Sequence, residues 1–212
     1  DKMTIEVIFG KETLTKDLSN SGYGSIICNQ WHRITASHNT VVIDGMNHTS
    51  VEPGIKLSFT NSSCDAKVEH VYEDVGFRRK IQLLSDGFYD EFEVKSGRER
   101  NYDFIFHVES DLDMNMDTTF ETSKNSSLGY TENGYAYFKD IIKLIPLKGS
   151  EELILYWKLG GLKLASSMNI IDTEVFLAKS PANPVTDLRT SIILRRKAKH
   201  TTYQMEWKIL NV

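Results

Sequence analysis

The chain has 212 residues, 40% of them apolar and 25% charged, a balance that supports a packed core and argues against disorder. Twenty-five basic against 29 acidic residues leave a net charge of −4, so the basic excess of a nucleic-acid binder is absent. Apolar runs of about five or six residues are far short of the roughly 20 needed for a membrane-spanning helix. The two cysteines, Cys28 and Cys64, exclude a disulfide-rich scaffold or a cysteine-based zinc ribbon.

Asp1 leads directly into an alternating stretch, Met3 to Phe9, with no initiator methionine, basic leader or apolar leader segment. That start is expected of a piece of a longer protein. Thr4–Phe9 reads as the first strand, and a dense polar cluster follows between Tyr23 and Asp44, with Thr40–Ile43 as a buried strand inside it. Period-two alternation then recurs in Ile55–Thr60, Ala66–Glu73 and Phe92–Lys95, which places one face on a core and the other in water. Ser85-Asp86-Gly87 marks a hairpin between Phe77–Leu84 and Phe88–Val94. Glu132-Asn133-Gly134 divides Leu128–Thr131 from Tyr135–Ile145, and Gly160-Gly161 bends or bulges the run Glu152–Met168. Lys197–His200 separates Ser191–Arg196 from Thr201–Leu210, which suggests a last hairpin. No long window carries an apolar stripe of helical period. The expected fold is all-β: one domain over residues 1–212, a sandwich of large antiparallel sheets with little or no helix.

Several residues carry chemistry on either of two readings. His38 stands at the entrance of the apolar strand, where an imidazole either caps a loop or binds a metal. Asp17, ahead of Leu18-Ser19-Asn20, reads as a turn residue. Arg78 and Arg79 could fork the carboxylates of an acidic polysaccharide or belong to a solvated strand face. Trp31 either stacks on a sugar or sits at a core edge, and His107, closing an apolar strand, reads chiefly as a packed residue. A Ser37–His38–Asp44 triad is discarded, because adjacent strand residues face opposite ways.

The pattern Trp31-x-Arg33-x-Thr35-x-x-His38-Asn39-Thr40-Val41-Val42-x-Asp44-Gly45 resembles the signature of the C-terminal β domain of heparinase II/III-like polysaccharide lyases. Asp17 and Gly22-Tyr23-Gly24 upstream, and Gly76–Ile81, Asp86–Phe92 and Tyr102–His107 downstream, are similar in order to elements of that family. The resemblance implies a two-domain lyase in which an α-helical toroid precedes this domain. Such enzymes cleave uronic-acid polysaccharides, heparan-sulfate-like or alginate-like, by β-elimination. The resemblance further implies that the catalytic Asn and Tyr belong to the toroid and that a catalytic His lies just before Asp1. This chain alone would then hold no catalytic residue and be inactive. It implies a zinc held in part by Asp17 and His38 and a periplasmic or secreted setting. On residue chemistry alone, the candidate substrate contacts are Trp31, Arg33, Arg78 and Arg79. The competing expectations are a non-catalytic module that binds acidic glycan and a purely structural sandwich.

Overall fold

The computed structural model describes residues 2–113 and 120–210. A short ribbon pairs β1 (Val7–Phe9) with β2 (Glu12–Thr15). The other strands form one large antiparallel sheet: β3 (Val41–Ile43), β4 (Ile55–Phe59), β5 (Ser63–Tyr72), β6 (Val75–Leu83), β7 (Gly87–Val108), β8 (Phe120–Ser123), β9 (Lys139–Pro146), β10 (Glu152–Leu159), β11 (Leu162–Asn169), β12 (Glu174–Pro181) and β13 (Leu188–Ile209). Its order is β4-β5-β6-β7-β13-β12-β9-β8, with β11 and then β10 added beside the later half of β13, and β3 beside the later half of β7. Among the described residues the helical elements are single turns: Cys28–His32, Thr35–Ser37 and Tyr135–Tyr137. None is long and apolar enough to cross a membrane.

The long pair β7–β13 organises the molecule. Each strand has 22 residues, and they stay in antiparallel register from Gly87↔Lys208 to Val108↔Thr190. At the middle the register slips between Ala198 and His200, and residues on both strands become exposed there. That bulge is where the pair passes from one layer of the sandwich to the other. The expected hairpin at Lys197–His200 is therefore corrected: its polar run marks a crossing between layers, not a reversal of the chain.

Between the layers lies the main core. Phe88, Phe92, Trp157, Leu164 and Trp207 meet Phe104, Phe106, Val175 and Ile192, with Trp157 and Trp207 ring centroids 5.7 Å apart. A second apolar cluster occupies the opposite face of the later layer, where Val42, Ile105, Phe176 and Ile193 are covered by Leu18, Trp31, Ala36, Leu128, Tyr135 and Phe138. Residues Tyr102–Val108 are accordingly buried on both faces, and the two polar residues among them are engaged, Asp103 by Arg195 and Tyr135 and His107 by Ala36 O and Ser191.

Other local expectations are revised by the same geometry. Gly160 and Gly161 form the turn of a tight hairpin between β10 and β11, with Leu159 opposite Leu162. Leu128–Thr131 is covering loop and not strand, and Tyr135–Tyr137 is a single helical turn. The first strand is shorter than expected, beginning at Val7. Strand β4 alternates in sequence yet lies exposed along its whole length, because it is the sheet's edge and extends past the core.

Candidate functional site

The loops that cover the second cluster carry the polar residues singled out by sequence. Asp17 follows β2, and its Oδ1 accepts the Ser19 backbone N–H at 2.6 Å, a local turn that fixes the carboxylate. Its Oδ2 lies 3.0 Å from His38 Nδ1, and this hydrogen bond holds the Asp17 carboxyl down at about 2. His38 follows the helical turn Thr35–Ser37 and is nearly buried. His32, on the neighbouring turn, is also buried, and the loss of water lowers its proton affinity.

Two arginines that sequence reading did not assign to this task fix the arrangement. Arg189, on β13, is 1% exposed; it donates to Lys16 O and Ser37 O and lies 3.6 Å from Glu109. It thus ties the residue before Asp17 to the residue before His38. Burial lowers its guanidinium to about 10. Arg79, on β6, pairs with buried Asp90 and donates through Nη1 to Met3 O and Asn39 O. Asn39 Nδ2 donates to Ile5 O at 2.8 Å and Thr15 Oγ1 at 2.7 Å, while Thr40 Oγ1 donates to Lys2 O at 2.6 Å. The His-Asn-Thr segment is therefore a clasp that ties the backbone of Lys2–Ile5 to the inner layer. The Asp44-Gly45 pair closes the turn after β3 with both φ angles positive, 50° and 69°, which suits a type I′ turn.

Behind the loops, His107 donates from Nε2 to Ala36 O at 3.0 Å. A carbonyl only accepts, so Nδ1 is the unprotonated nitrogen and accepts from Ser191 Oγ at 2.9 Å. Complete burial holds this imidazole neutral, well below its ordinary proton affinity. Ser191 in turn contacts Ser180 Oγ at 2.9 Å. The Ser–His pair has the spacing of a nucleophile and base, but both partners are sealed in the core.

The substrate contacts expected from sequence divide sharply. Trp31 has no exposed surface; its Nε1 donates to Pro181 O, so stacking on a sugar is corrected to core packing. Arg79 is 4% exposed and fully engaged, which likewise removes it from any surface. Arg78 is partly exposed but bidentate to Asp65, within a ladder of ion pairs on the outer sheet face that includes Lys80–Glu91 and Lys95–Glu93. Arg33 alone of the four is exposed without a carboxylate partner among the described residues. Cys28 and Cys64 are both free.

Zinc fits this geometry only in part. Asp17 and His38 present a carboxylate and an imidazole 3.0 Å apart, near the about 3.3 Å that separates neighbouring ligands in a tetrahedral site. They fit as two ligands only. No group of three His, Cys, Asp or Glu among the described residues is arranged to hold a metal ion.

No protein-family model and no curated protein sequence matches the chain. Solved structures do. Heparan sulfate lyase HepC from Pedobacter heparinus superimposes with a TM-score of 0.65 at 12% identity, covering 99% of this chain. A heparinase III structure gives 0.60 at 13% identity over 98% of the chain, and a second heparinase III gene product gives 0.60 at 14% over 98%. The chain has the fold of part of a heparinase III structure. It spans about 30% of the length of the lyases it matches.

Proposed function

We propose that this chain is the β domain of a polysaccharide lyase that cleaves uronic-acid glycans by β-elimination, with the proton-transfer groups supplied from outside it. The observation that supports this most directly is coverage: almost the whole chain overlays on a third or less of each lyase. The elimination requires the uronate carboxylate to be neutralised, its α-proton removed and the leaving oxygen protonated. In this reading the clasp formed by Asn39, Thr40 and Arg79 holds the chain entering the domain, and Arg189 holds the Asp17–His38 loop against it. A preceding α-helical toroid forms the opposite wall of the cleft. A zinc ion would take Asp17 and His38 as two of its ligands and would lock that loop in place.

The test is a protein carrying this chain together with its toroid, incubated with heparan sulfate, chondroitin and alginate. Ultraviolet absorbance of the conjugated, unsaturated uronate should rise with at least one of them, and this chain alone should produce none. Absence of product from all three, with a folded protein, would overturn the proposal.

A further inference from the structure

A groove of about 320 Å³, separate from the Asp17–His38 pair, runs between the turn Cys28–His32 and the loop preceding Tyr135–Tyr137. It is an open surface groove, lined by exposed polar side chains as well as by Ile34 and Tyr137. Its wall is an aromatic ring held from two sides. Tyr137 packs on Trp31, ring centroids 5.6 Å apart, and its hydroxyl donates to Gln30 Oε1 at 2.9 Å. Gly134 allows the loop to approach: a Cβ there would lie 2.8 Å from Ile34 and 3.3 Å from the Trp31 ring, and its φ of 88° is left-handed.

The polar groups around this ring suit a hydroxyl-rich ligand. Gln30 gives up its oxygen to Tyr137 and keeps its amide donors at the exposed edge. Asn29 uses its amide on Tyr23 O and Ser25 O, and its Oδ1 receives Arg33, which holds that guanidinium at the groove margin. Arg33 has no carboxylate partner among the described residues, unlike Arg78 and Arg79. Glu132 lines the same groove. One cation, one carboxylate, amides and a backed aromatic ring match a sugar with a C–H face and a single carboxylate. They do not match a densely sulfated chain, which Glu132 would repel.

We propose that this groove is a saccharide subsite for a sparsely charged, uronate-bearing glycan, with Tyr137 as the stacking platform, Gln30 on the hydroxyls and Arg33 on the carboxylate. The inference rests on the glycan part of the function proposed above, and it adds the place of contact and a preference against dense sulfation.

The experiment titrates this chain with three probes and reads backbone NMR shifts and calorimetric heats. The probes are an unsulfated oligosaccharide of alternating glucuronate and N-acetylglucosamine, a fully sulfated heparin oligosaccharide of equal length, and a neutral cello-oligosaccharide. The unsulfated uronate probe should bind tightest, with shifts centred on Gln30 and Tyr137. Gln30→Ala and Arg33→Gln should each weaken it at least about fivefold, while Tyr137→Phe keeps the ring and stays within about twofold of the parent. Arg78→Gln should leave binding unchanged. Binding that survives both Gln30→Ala and Arg33→Gln, tighter binding of the sulfated probe, or no binding of any probe would each overturn the subsite. The readout involves no cleavage, so its failure is separate from failure of the lyase assay.

Discussion

Adjacent arginines on one strand have opposite fates because the side-chain period of a strand is two. Arg78 points outward and shares Asp65 with solvent nearby, whereas Arg79 points inward and is enclosed with Asp90. Breaking a buried pair strands one charge in the core, while loosening an exposed pair forfeits little. Arg79→Met should therefore destabilise the chain by about 3 kcal/mol in urea unfolding, and Arg78→Gln by less than about 1 kcal/mol. Comparable losses from the two substitutions would contradict the assignment. At this scale sequence alone was ambiguous. A basic run shows that charges are present but not which of them finds a buried carboxylate, and Asp90 lies 11 residues away on the next strand. Trp31 misled for the same reason: its aromatic ring suits a sugar or a core equally, and only the covering position of Cys28–His32 over β7 and β13 decides.

Elements were legible where turn chemistry and alternation agreed. The hairpin at Ser85-Asp86-Gly87 appears as expected because Gly87 has a backbone reason to be there. A Cβ on Gly87 would lie 1.7 Å from Trp207 O, so no side chain fits beside β13. Gly87→Ala should cost at least about 2 kcal/mol by forcing the strands apart. Gly161→Ala, whose Cβ would meet nothing within 4 Å, should stay within about 0.5 kcal/mol. Thermal or urea denaturation of the two variants reads the contrast. Elements were illegible where polarity reflected position in the whole fold. The polar Lys197–His200 run looks like a turn, yet it is strand passing between layers, and β4 alternates with no core beneath it. Neither fact depends on the local residues alone. In the candidate site, the Asp17–His38 contact followed from the resemblance, while the Arg189 tie across 152 residues to Ser37 had no local signal.

Burial favours the neutral form of three imidazoles in the fold, His48, His107 and His32. His48 donates from Nε2 to Val41 O and accepts the Lys2 N–H at Nδ1; burial lowers it from 6.5 to about 4. His107 is lowered well below 6.5. Both folded values lie under the unfolded one, so the unfolded chain gains protons first as the pH falls. Stability is thus unaffected by these groups above the unfolded value and is lost below it, at about 1.4 kcal/mol per pH unit for each group. Urea unfolding should show a decline of at least about 2.7 kcal/mol per unit between about pH 6 and about pH 4.5, with His32 adding to it. His48→Gln should reduce the slope by about 1.4 kcal/mol per unit, and an unchanged slope would refute the assignment. Asp17 acts at lower pH: its pairing is present above 3.8 and fades as the pH falls through about 2.

The β7–β13 ribbon, paired over about 30 Å on each side of its central bulge, also bears on how the molecule can respond to a ligand. With one ribbon woven through both halves, a swing of one against the other would have to bend both long strands at that bulge. Adaptation to a glycan in the proposed groove would then fall to the connecting segments around Trp31 and Tyr137, which lie outside the paired frame.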